Sequence, residues 1–252
     1  MSGTMTRRLA TGLAAVGLVV AAAGGASAEA QADHPVGETI QVAAGETFDG
    51  GGDRYYGTGD LGGGDQEEGQ GPIFELADGA QLSNVVLGSP AADGVHCLGS
   101  CTLRNVVWED VGEDAATFEA EDPAATMTVD GGSAALADDK VFQHNGPGTM
   151  IIRNFEVSDF GKLYRSCGNC STNPVERHVE ISDVTATAPD TALAGINVNY
   201  GDTATLDDIT VVGDREMDIC VWYEGVTDGE PSEIGSGPSD QCRYDPGAIR
   251  YE

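Results

Sequence analysis

Lysine is almost missing from this chain: 252 residues contain two, Lys140 and Lys162. Lys and Arg together number 12 against 42 Asp plus Glu, for a formal charge of −30. Phosphate recognition needs clustered cations, so nucleic acid and anionic membrane surfaces are excluded as partners. A long apolar run is also missing beyond the N-terminus. After residue 28 nothing approaches the roughly 20 apolar residues that a membrane span requires. The third absence is helical periodicity, which argues against a fold built on amphipathic helices.

What is present begins with an address. Arg7 and Arg8 give a positive start, Leu9 to Ala23 is apolar, and Ala26-Ser27-Ala28 has the small-x-small form of a cleavage site. Residues 1–28 therefore read as a secretory signal, and 29–252 as one secreted, extracellular domain large enough to bury a core. A monomer is expected. Six cysteines, at 97, 101, 167, 170, 220 and 242, all lie beyond the signal. In an oxidising compartment disulfides are the default. The expected pairs are Cys97–Cys101, Cys167–Cys170 and Cys220–Cys242. A zinc site using His96, Cys97, Cys101 and the C-x-x-C at 167–170 is the alternative.

A short strand-like phrase, apolar-x-Asn/Asp-apolar, recurs along the chain. It reads Leu82-Ser-Asn84-Val85, Leu103-Arg-Asn105-Val106, Ile152-Arg-Asn154-Phe155, Ile181-Ser-Asp183-Val184 and Leu206-Asp-Asp208-Ile209, with a degenerate copy at 126–132 that places Asp130 in the polar slot. One strand phrase every 20 to 30 residues signals a solenoid. Leucine-rich repeats need a denser Leu framework, and a β-sandwich does not explain the regular spacing. The expectation is an all-β, right-handed parallel β-helix with three short strands per coil. The Gly/Asp-rich stretch Gly50 to Gly71 contains a formal G-x-G-x-x-G, but no strand–helix context surrounds it, so it reads as a loop. The polar tail after Gly225 reads as a cap held by Cys242.

Both lysines sit in segments dense in functional groups: Asp138-Asp139-Lys140-Val-Phe-Gln143-His144-Asn145 and Gly161-Lys162-Leu-Tyr164-Arg165-Ser-Cys167. An acidic surface that has shed lysine elsewhere keeps these two for a task. Upstream lies Asp93-Gly-Val-His96, then Trp108-Glu109-Asp110-Val-Gly-Glu113-Asp114. Four carboxylates so close repel one another unless cations sit among them, and hard oxygen ligands suit calcium. In a solenoid, residues one period apart stack. Asp93 with Glu113, Asp114 with Lys140, and Lys140 with Arg165 are each one coil apart, which places carboxylates, a lysine and an arginine on one face. Such a strip suits an anionic polysaccharide: it reverses the field locally, and calcium acidifies a proton next to a uronate carboxylate. A neutral Lys, or an Arg, could then remove that proton.

The strings ADGVHC, VWEDVGEDAAT, DKVFQHNGPGT and GKLYRSCGNC, with EGQGPIFELADGAQLSNVVLG and RHVEISDV, closely resemble the pectate lyases of polysaccharide lyase family 3. The likeness runs from about Gly45 to Cys242. It implies a small β-helical enzyme that cleaves polygalacturonate by calcium-dependent β-elimination, at alkaline pH. Carried over by position, Lys140 corresponds to the proposed base, Arg165 to the catalytic or substrate-clamping arginine, and Lys162 to the carboxylate-binding lysine. Asn145 falls among the substrate-binding positions. Asp93, Glu113 and Asp114 correspond to the calcium ligands, with Asp139 as a further contributor, and Glu68 to an acid toward the leaving oxygen. Val107-Trp108 replaces the family's paired tryptophans, and lysines common elsewhere in the family are missing.

Overall fold

Phe48, Leu82, Leu103, Val129, Ile152, Ile181 and Leu206 stand directly across from one another on successive parallel strands. All but Phe48, which packs against the core from its edge, are buried. The apolar residue that opens each repeated phrase is thus one rung of an internal stack. The computed structural model describes Met1, Gly3, 31–64, Gln66 and 69–252. The proposed signal (1–28, apart from Met1 and Gly3) and Glu68 lie outside the described residues. Within Gln31–Glu252, nearly all regular structure is β-strand, with two short 3₁₀ turns, Gly59–Leu61 and Val198–Tyr200. No helix among the described residues is long and apolar enough to cross a membrane.

Each strand pairs with the strand one coil later, and every pairing is parallel except that of Asp218–Glu224 with Ser232–Ser236. This is the parallel β-helix expected from the sequence. The long strands Thr126–His144, Gly148–Ser166 and Arg177–Asn197 each run along more than one side of a coil. They bend where the backbone enters the left-handed region. Asn84, Asn105, Asn154, Asp183 and Asp208 have φ between 51° and 54°. Asn and Asp tolerate that region best among residues with a Cβ, which explains the polar slot. In the degenerate copy the slot belongs to Gly131 (φ 77°). Asp130 lies one place earlier, opposite Arg104 and Arg153, so the expected alignment there is corrected by one residue.

All six cysteines form the three expected disulfides, Cys97–Cys101, Cys167–Cys170 and Cys220–Cys242, which removes the zinc alternative. Two regions differ from expectation. Inside the stretch read as a loop, Arg54–Gly57 is a strand paired with Asp33–Val36 and Val86–Leu87. Tyr55 supplies the reason, packing against His34, Phe48 and Phe74 at the N-terminal end of the core. The tail is also more than a cap: Cys242–Arg243 and Arg250–Tyr251 continue the parallel ladder on Thr203–Val212.

Candidate active site

The side of the helix formed by Phe74–Leu76, Val95–Cys97, Ala116–Phe118 and the ends of the three long strands carries two outward columns. In the first, Gln41, Glu75, His96, Thr117, Gln143, Arg165 and Gly195 follow one another coil by coil. The second lies three residues earlier on the later coils, where Lys140 is paired with Lys162. The register shifts by one residue between Ala137 and Lys140, just before both columns, and is continuous from Lys140 to Gln143. Lys140 therefore faces Lys162 across the coils, and Arg165 faces Gln143. The expected direct stacking of Lys140 on Arg165 is replaced by a staggered arrangement in which both border one cavity with Asp139 and Gln143.

Asp93, Glu113 and Asp114 are all buried, and each offers a carboxylate oxygen within 4.8 Å of the others. They adjoin a cavity of about 220 Å³ shared with Gln70, His96, Thr117, Glu119, Gln143 and Asn145. Lys140 Nζ lies 3.4 Å from Glu113, 3.1 Å from Asp114 and 3.2 Å from Asp139. Burial opposes its charge, but the three carboxylates outweigh that cost and hold its pKa well above the usual lysine value. Burial pushes the Asp114 carboxyl well up, with Lys140 pulling the other way and Glu113 and Asp93 adding to the rise. His96 Nε2 meets Asp93 Oδ2 at 2.7 Å, fixing one oxygen of that carboxylate. The other, Asp93 Oδ1, is buried without a hydrogen-bond partner among the described residues.

That donor set fits a hard cation. Three carboxylates converge, one carries a buried oxygen without a partner among the described residues, and a lysine ammonium contacts the other two. Buried carboxylates in this number need compensation beyond one lysine. Thr117 Oγ1 and Gln143 Oε1, neighbours in the first column, are also buried and unpartnered among the described residues. They give the cavity wall polar atoms in search of a ligand.

Asp139 stands outside the three-carboxylate cluster. It bridges Lys140 and Lys162, the latter at 3.0 Å. Burial raises its pKa, but the two lysines prevail and the net shift is downward. Glu109 turns away to pair with Arg54 at 2.7 Å, and Asn145 borders the acidic cavity rather than the Lys140–Arg165 cavity. Arg165 is buried, which lowers its pKa. Its Nη1 donates to the Ser166 carbonyl at 2.5 Å and to Asn197 Oδ1 at 3.0 Å, and its guanidinium lies 3.9 Å over the Tyr223 ring. Thr117, Tyr223, Asn197 and Asp202 escaped the sequence reading. The outward column through His96 and Arg165, once the register is known, would have found Thr117; the others lie too far along the chain to signal themselves.

The family model for pectate lyase matches residues 24–230. Pectate lyase H of Emericella nidulans is 51% identical over 207 residues, covering 79% of this chain and 76% of that protein. The catalytic domain of pectate lyase PelI from Erwinia chrysanthemi superposes with a TM-score of 0.73 at 32% identity, covering 88% of this chain and 100% of that domain. PelI in complex with tetragalacturonic acid gives 0.72 at 31% identity, covering 86% of this chain and 70% of that one. A β-helix with paired cations beside buried carboxylates, matched at this extent in sequence and in fold, makes the chain a member of the pectate lyase family, a polysaccharide lyase.

Proposed function

We propose that this chain is an extracellular, calcium-dependent pectate lyase, active as a monomer on polygalacturonate, with Asp93, Glu113 and Asp114 as the calcium-binding carboxylates. The observation that carries it is the convergence of those three carboxylates, two of them, Glu113 and Asp114, in contact with Lys140, with Lys162 on the next coil and Arg165 in the next column. Binding of tetragalacturonic acid by the related PelI supports the substrate class. Calcium, when bound, supplies charge to polarise the uronate carboxylate and acidify its neighbouring C5 proton.

Lys140 is the group assigned to take that proton. A guanidinium does not lose its proton at working pH, whereas an ammonium does so when its carboxylate partners are engaged elsewhere. In the structure described, Asp114, Glu113 and Asp139 hold Lys140 protonated. Compensation of those carboxylates releases it. Lys162 and Arg165 then bind and orient the substrate carboxylates, and Asp139 offsets the repulsion between the two lysines it bridges. Glu68 is assigned the leaving-oxygen proton on the resemblance alone. A signal at 1–28, the three disulfides and the acidic surface all agree with export.

The test is ultraviolet absorbance of polygalacturonate incubated with the protein, first with calcium and then with excess chelator. Elimination leaves an absorbing conjugated double bond, and hydrolysis does not. We expect absorbance that rises with calcium, stops with chelator and accelerates with pH into the alkaline range, as the lysine loses its proton. Lys140→Ala should lower kcat by about 10²- to 10⁴-fold. New reducing ends without absorbance, or a maximum near pH 5, would rule the mechanism out.

A further inference from the structure

Arg165 has four rotatable side-chain bonds, yet its guanidinium is fixed on two sides. Tyr223 lies against its face, and Nη1 is anchored on the Ser166 carbonyl and on Asn197 Oδ1. Its remaining N–H groups find no protein partner among the described residues, and the side chain borders the cavity with Lys140 and Asp139. The anchor itself is unusual. Asn197 is wholly buried, as is Asp202 five residues on. The 3₁₀ turn Val198–Tyr200 and left-handed Gly201 (φ 86°) return the chain so that Asp202 Oδ2 accepts the Asn197 backbone N–H at 3.0 Å.

An amide side chain is nearly symmetric in shape, so its neighbours decide which end points where. Asn197 Nδ2 faces four acceptors: the Ser166 carbonyl at 3.3 Å, Ser166 Oγ at 3.0 Å, the Cys167 carbonyl at 3.1 Å and Asp202 Oδ2 at 3.2 Å. Flipped, the amide would press its oxygen against a buried carboxylate and two carbonyls, and its NH₂ against a guanidinium. Asp202 is in turn held by Ser166 Oγ at 2.6 Å and by the Arg177 backbone N–H at 3.0 Å. The carboxylate thus sets the amide, and the amide oxygen sets Arg165.

We propose that Asn197, its amide oriented by Asp202 and Ser166, is the positioning residue for Arg165 in the lyase reaction. The inference rests on the reading of Arg165 as a group that binds substrate. Asn197 does not touch substrate itself. Its task is to hold one edge of the guanidinium so that the other edge meets a uronate carboxylate without a search over rotamers. The rival role for Asn197 is structural, bracing the turn at Ser166 and Cys167 through the same Nδ2.

A double-mutant cycle separates the two. We expect Asn197→Ala to lower kcat/KM on polygalacturonate by about 10- to 100-fold. In an Arg165→Lys background the same change should alter it by less than about threefold, because its effect passes through the guanidinium. The milder Ser166→Ala, which loosens the amide while keeping Asp202 and Arg165, should show the same pattern at smaller amplitude, and stands in if Asn197→Ala does not fold. Thermal melts of every variant accompany the kinetics. Equal losses in both backgrounds, or full activity in Asn197→Ala, would overturn the proposal. Full activity in Arg165→Lys alone would overturn instead the reading of Arg165 on which it rests.

Discussion

Asp114 is the residue where binding and stability conflict most sharply. It is 2% exposed, and burial raises its pKa against the pull of Lys140. A carboxyl raised in the folded state is a liability when ionised: above its unfolded pKa, near 3.9, each further proton lost costs folding free energy. Without calcium, Glu113 and Asp114 share Lys140, Asp139 draws on that lysine too, and Asp93 beside them has His96 as its partner. Asp114→Asn removes one of these charges while leaving Lys140 two partners. We expect its calcium-free melting temperature at pH 8 to rise by about 2–4 °C, the size of a 1 kcal/mol gain in a chain of this length. The rise that calcium gives the parent protein should vanish. A lower calcium-free melting temperature with the calcium response intact would place the metal elsewhere. At this scale the sequence was most legible where a residue type was rare or crowded. Two lysines in an acidic chain and carboxylates packed within a few positions announce themselves, whereas Asn197 and Asp202 are ordinary types whose meaning comes from burial.

Strand and coil explain where counting succeeded and where it slipped. The repeat phrase marks a backbone constraint, a left-handed corner that favours Asn, Asp or Gly, so its period survives sequence drift. Periods do not reveal which coil carries an extra residue. Lys140 and Arg165 are one coil apart by count, yet the coil is shorter at this point, with an irregularity between Ala137 and Lys140, and Lys140 is set against Lys162. Asp130 differs by one for another reason: Gly131 takes the left-handed slot that Asn or Asp fills in the other copies. The coil after Arg165 makes a second demand that no motif displays. Gly195 is paired with Arg165, and a Cβ there would lie 2.8 Å from Arg165 Cδ and 3.1 Å from Tyr223 Cε2. Gly195→Ala should therefore push the arginine out of place while suiting the strand. We expect kcat/KM to fall about 10-fold or more with the melting temperature shifted by less than about 2 °C. Unchanged kinetics beside a lower melting temperature would show that the side chain yields and the backbone suffers.

For the molecule as a whole, charge poses the problem that the site solves. A protein of net charge −30 is proposed to bind a polyanion, so approach is opposed over distances where individual side chains are not resolved. At the proposed site, bound calcium together with Lys140, Lys162 and Arg165 would reverse the field locally. The two ranges respond differently to salt. The screening length falls from about 30 Å at 0.01 M to about 8 Å at 0.15 M, which removes the long-range repulsion first and spares contacts of 3 to 4 Å. With free calcium held constant, kcat/KM on long polygalacturonate should rise by about 3- to 10-fold between those salt concentrations, while kcat at saturating substrate stays flat. A trimer, carrying fewer charges, should show a smaller rise. If kcat/KM instead falls over that interval, the local cations govern the encounter even at long range, and the acidic surface is irrelevant to substrate capture. If it rises as expected, the acidic excess slows capture at low salt, and the enzyme is suited to media where that repulsion is already screened.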